Sequence, residues 1–108
     1  MIVVTIAQKV GSFAENKDAA RAARLDEIEP ALRRGEDVEI EFAQVELATQ
    51  SFNHALISAV IRTFGADILD HLTFANCNPS VKSLIEIVVE YSQDDVAEIG
   101  SEHPTTSA

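Results

Sequence analysis

The six residues Asp37-Val38-Glu39-Ile40-Glu41-Phe42 alternate polar and apolar without interruption. Only an extended chain sends successive side chains to opposite sides, so this segment is expected to be a strand with one face on a core. The sequence on either side changes period. From Asn16 onward alanines are dense, and Ala22, Leu25, Ile28 and Leu32 fall along one helical stripe. Asn16 is a capping residue and Asp18 suits the positive end of a helix dipole. Pro30 lacks a donor and crowds the preceding turn, which predicts a kink or break near Glu29 before the stop at Gly35.

The same change of period recurs along the chain. Residues 2–8 are mostly apolar and β-branched at their start, and are expected to form a first strand leading to a turn at Gly11-Ser12. After the connection Ala43 to Gln50, a helix is expected, with Ala55, Leu56, Ala59, Val60, Ile61 and Phe64 apolar and Gly65 ending it. Ala66 to Asp70 suits one more helical turn, Leu72-Thr73-Phe74-Ala75 a strand, and Asn76-Cys77-Asn78-Pro79 a turn. Asn78 or Ser80 can cap a last helix in which Val81, Leu84, Ile85, Val88 and Val89 recur at helical spacing. Strand, helix, strand, helix, strand, helix is the order of an α/β layer: a small mixed or parallel sheet of about four strands flanked by helices. Residues 1–92 are expected to be one domain, and 93–108 an acidic and polar tail, largely disordered.

Composition narrows the function classes. A chain of 108 residues with 46% hydrophobic content can bury a core without metal or disulfide. Its one cysteine, Cys77, forms no internal disulfide, which fits a reducing cytoplasm and excludes a cysteine-based zinc cluster. A formal net charge of −10 repels phosphate backbones and anionic lipid, so neither nucleic acid nor membrane is an expected partner. Arg21, Arg24, Arg33 and Arg34 lie at helical spacing from Asp18, Glu27 and Glu29 and are read as surface ion pairs. Residues 2–6 have no basic region before them and no signal-peptide pattern.

No enzyme chemistry stands out. His54 follows Ser51 by one helical turn, but no Gly-x-Ser-x-Gly elbow accompanies the pair. His54, His71 and His103 are scattered, so no metal site is expected, and no Gly-rich loop suggests a nucleotide or other cofactor. Ser51, or Thr49 before it, sits where a helix needs an N-cap, and a hydroxyl there contributes about 1 kcal/mol. Cys77 is read as a buried or tolerated thiol.

The run Val38-Glu39-Ile40-Glu41-Phe42-Ala43-Gln44-Val45, then Ser51-Phe52, an apolar helix and Leu72-Thr73-Phe74-Ala75-Asn76, resembles the STAS-like family of uncharacterised prokaryotic domains. That family is related in fold to the STAS domains of anti-sigma-factor antagonists. In the antagonists, an Asp-Ser-Ser-Gly loop at a helix start is phosphorylated on its second serine by a histidine-kinase-like ATPase. Laid on this chain, the four positions fall on Thr49, Gln50, Ser51 and Phe52, of which Ser51 matches. The resemblance therefore implies a non-enzymatic, cytoplasmic, regulatory protein-interaction module. It implies docking on such an ATPase or another signalling partner through Thr49, Gln50, Phe52, Asn53 and His54, with Ser51 as phosphoacceptor. Gln50, Asn53 and His54 are expected to be exposed there, and Phe52 to be either an aromatic anchor or core.

Two other readings stay open. One is a structural or self-associating domain, a homodimer paired through an edge strand at Ile2 to Ile6. The other is a small-ligand binder using Asn76 to Pro79 and the helix start at Ser80 to Lys82.

Overall fold

The computed structural model describes the backbone of residues 1–101 and the side chains of residues 1–92. Three strands, β1 (Ile2–Thr5), β3 (Val38–Glu41) and β5 (Leu72–Ala75), form an all-parallel sheet in the order β1-β3-β5. Two shorter strands, β2 (Phe13–Ala14) and β4 (Leu47–Ala48), make a separate parallel pair. The sheet is thus parallel throughout, with its strands divided three and two. In register, Ile2, Val38 and Leu72 share one face with Val4, Ile40 and Phe74, and this face meets the helices. The alternation expected at 37–42 is realised: Val38 and Ile40 are buried, while Glu39 and Glu41 lie on the other face. Val3 and Thr73 beside them are exposed, so that face of the sheet is open.

The first strand is shorter than residues 2–8. It stops at Thr5, and α1 (Ile6–Val10) follows. Ala7, Gln8 and Lys9 are better helix than strand formers. A helix also lets Ile6 reach the core while Lys9 pairs with Glu27.

The first long helical stretch has a phase shift. Asn16 caps α2 (Lys17–Ala23), its Oδ1 accepting from the backbone N–H of Asp18 and Ala19. A π-helical turn (Arg24–Ile28) then adds a residue before α3 (Glu29–Arg33), with the Glu29 N–H donating to the Arg24 carbonyl. The extra residue moves the core stripe to Ala20, Ala23, Ile28, Ala31 and Leu32. Ala22 and Leu25, expected inside, face water instead. Pro30 lies in the first turn of α3, where a missing N–H is tolerated, so the expected kink takes the form of the π turn.

The arginine cluster is not wholly a surface feature. Glu29 is 3% exposed and takes both Arg24 (2.7 Å) and Arg33 (3.1 Å). Arg24 Nε also donates to the Ala55 carbonyl at 2.9 Å, tying this stretch to the next one.

That next stretch is α4 (Gln50–Asn53), a second π turn (His54–Ser58) and α5 (Ala59–Phe64), ended by Gly65 at φ 91°. A 3-10 helix (Ala66–His71) leads into β5, and α6 spans Pro79–Ser101. α6 packs Val81, Ile85 and Val88 into the core against α4 and α5. It runs past the boundary at residue 92, and residues 102–108 of the expected tail lie outside the described residues. Among the described residues no helix is long and apolar enough to cross a membrane.

Candidate interaction surface

The helix start at residues 48–54 is fixed by Thr49. Its backbone N–H donates to the Ala14 carbonyl at 2.9 Å, and its Oγ1 accepts from the Phe52 N–H at 3.1 Å. Of the two hydroxyls expected to serve as the N-cap, Ser51 and Thr49, it is Thr49 that does so. Thr49 sits just before the first helical residue, in extended backbone from which a hydroxyl reaches back to Phe52. Ser51, already inside the helix, faces outward beside exposed Gln50.

The remaining predicted contact residues divide differently. Phe52 is 1% exposed and belongs to the core. Asn53, expected at the surface, is fully buried, and neither polar atom of its amide has a hydrogen-bond partner among the described residues. Both follow from helix phase, since Phe52 and Asn53 continue the inward stripe of Leu56, Ile57, Val60 and Ile61. His54 is half-buried and shares a 3.0 Å hydrogen bond with Arg62, which also donates to Ser58 Oγ at 2.7 Å. His54 is thus engaged with Arg62 and not with Ser51.

Beside this helix start lies a feature that the sequence reading did not single out. Phe13 and Leu47 are register partners on β2 and β4, 54% and 44% exposed. Their neighbours Ala14 and Ala48 are the buried pair. The ribbon is anchored by the Glu46 N–H to the Ser12 carbonyl at 2.8 Å and by Thr49 to Ala14. The capping residue and the apolar pair are therefore parts of one local structure. Two-residue strands are too short to show a period; the available signal was an aromatic residue directly after the Gly11-Ser12 turn.

Loops at the carboxyl ends of β3 and β5 brace this surface. Glu41 Oε2 accepts from the Ala43 N–H at 3.0 Å and from Asn76 Nδ2 at 2.6 Å. Gln44 and Asn76 take positive φ, 68° and 56°, as the two loops turn. Asn78, not Ser80, caps α6: its Oδ1 accepts from the Val81 N–H at 2.8 Å. Its amide also donates to the Glu46 carbonyl at 2.9 Å, next to Leu47.

Cys77 is half-buried in this bracing loop. Burial pushes its thiol pKa up, Glu41 adds to the rise and Lys82 opposes it. A thiol held in its neutral form is a weak nucleophile. Glu41 and Glu86 near the same loop outnumber Lys82, so the field around this turn does not favour an anion.

Residues 25–82 match the family described as STAS-like domain of unknown function (DUF4325). The matched segment runs from the first π turn to the first turn of α6 and includes Leu47 and Ser51, while Phe13 precedes it. No curated protein and no solved structure matches the chain.

Proposed function

The chain belongs to the family of STAS-like domains of unknown function, and from that premise we propose that it is a regulatory protein-interaction module without chemistry of its own. Its contact surface is the exposed pair Phe13 and Leu47 together with Gln50 and Ser51 on the adjoining helix turn. The partner is a histidine-kinase-like ATPase, and Ser51 is the switch. One observation carries this reading: an exposed aromatic–aliphatic pair stands on the ribbon that Thr49 ties to the helix start, and that helix start carries an exposed serine with no capping duty.

The physics of such a switch is local. A phosphate on Ser51 adds about −1.5 to −2 charge at a helix N-terminus, where the dipole and first-turn N–H groups favour it. Because Thr49 holds the cap, the modification leaves the helix start intact. The added charge alters a contact surface that already belongs to a chain of net charge −10.

The test is capture of tagged protein from lysate of its native host, with and without Mg-ATP, reading co-purifying proteins and bait mass. The expected result is an ATPase in the eluate and an added phosphate on Ser51 only when ATP is present. The ATPase should be lost from the Phe13→Ser/Leu47→Ser bait and from Ser51→Asp. Equal capture by Ser51→Ala, Ser51→Asp and wild type would remove Ser51 as the switch, and an eluate without an ATPase would remove the partner assignment.

Self-association is the second reading, favoured by the place of β1 at the edge of the sheet among the described residues and by Val3, 52% exposed. A monomer at every concentration in sedimentation excludes it.

A further inference from the structure

A different part of the molecule offers a second docking geometry. Among the described residues β5 pairs with β3 alone, which leaves its other edge without a strand. The Phe42 N–H donates to the Ala75 carbonyl at 2.8 Å. In a parallel ladder the N–H and C=O of one residue point to the same side and alternate along the strand. Thr73 and Ala75 therefore bond to β3, and the backbone groups of Leu72 and Phe74 face the open edge. The Leu72 N–H is taken by the Leu69 carbonyl. The Leu72 C=O and both groups of Phe74 are left as the rungs to which another strand would bond.

Beneath this edge lies a cleft against α6, made of two adjoining hollows of about 420 Å³ and 630 Å³ that share Phe74, Ile85 and Glu86. Its apolar lining is Leu69, Leu72, Phe74, Ile85 and Val89. Exposed Glu86 and Glu90 stand one helical turn apart on its rim, with Lys82 at the other end beside Cys77.

We propose that the edge of β5 and this cleft receive an extended, basic segment of a partner protein as a fourth strand of the main sheet. Its backbone would bond to Phe74 and to the Leu72 carbonyl, with alternate apolar side chains in the cleft and Lys or Arg meeting Glu86 and Glu90. Charge selects this occupant. A second copy brings the same acidic α6 and the same net charge of −10, which opposes pairing edge to edge. The chain's own residues 102–108 contain no large apolar side chain to fill the cleft. This site does not depend on Ser51 or on the Phe13–Leu47 pair.

The probe is a short, end-blocked peptide alternating Lys and Val, titrated into the full chain by amide NMR. The largest shifts are expected at Phe74 and along 85–90, with exchange of the Phe74 N–H slowed at least about tenfold. Glu86→Lys with Glu90→Lys, both at exposed positions, should weaken binding about tenfold. N-methylation of the peptide backbone should abolish it. The proposal is overturned by no binding, by equal binding of a Glu–Val peptide, by indifference to the charge reversals, or by shifts centred on Phe13 and Leu47. A dimer paired through β5 would overturn it as well.

Discussion

Val38 and Ile40 in the central strand are shut off from water, whereas Phe13 and Leu47 in the two-residue ribbon stand about half exposed. Both ladders are parallel, yet one buries its large residues and the other exposes them. The main sheet turns branched aliphatic residues inward, where burying each contributes about 1.5–3 kcal/mol. The ribbon turns Ala14 and Ala48 inward and its large residues out. A ribbon this small has little stability of its own and borrows position from Thr49, Ser12 and the neighbouring helices. Its exposed aromatic residue therefore adds little to folding, and the recognition role proposed for it rests on that exposure. The main sheet is scaffold and the ribbon is the presented surface.

This contrast can be broken by substitution. The largest effect belongs to the scaffold: Ile40→Ala should lower unfolding free energy by about 2–5 kcal/mol in denaturant titration, since the cavity forms in the central strand. Asn53→Leu should act oppositely. It replaces two buried polar atoms that have no partner among the described residues with a side chain of similar size, raising stability by about 1–2 kcal/mol and with it the melting temperature. Thr49→Ala should cost about 1 kcal/mol through the lost cap, while Ser51→Ala should stay within about 0.5 kcal/mol. An equal loss from the two would show that Ser51 shares the capping role. The smallest stability change belongs to the presented surface: Phe13→Ser and Leu47→Ser should each shift unfolding by no more than about 0.5 kcal/mol while partner capture is lost. A loss on the scale of Ile40→Ala would make the ribbon part of the core.

The readable parts of the sequence were those long enough to show a period. Strand β3, strand β5 and the core face of α6 follow directly from the spacing of Val38, Ile40, Leu72, Val81, Ile85 and Val88. Two physical causes hid the rest. A π turn inserts a residue without any composition signal, so a stripe extrapolated through it points Ala22 and Leu25 the wrong way. Residue type also outweighed residue position at the candidate site. The polar side chain of Asn53 predicts exposure, although Phe52, Asn53, Leu56, Ile57, Val60 and Ile61 form a continuous buried series in which Asn53 sits by phase. Ser51 and Thr49 both suit a cap by residue type, whereas the cap depends on which hydroxyl precedes the first helical residue, and that is Thr49. Phe13 and Leu47 are separated in sequence and meet only because β2 and β4 pair.

The division into scaffold and presented surface is tested most directly by hydrogen–deuterium exchange on the complex with the captured ATPase, compared with the free chain. Protection should appear at residues 12–15 and 46–52, with the amides of β3 equally protected in both states. Protection confined to β1, to β5 or to the exposed flank of α6, with the ribbon exchanging as it does in the free chain, would contradict it.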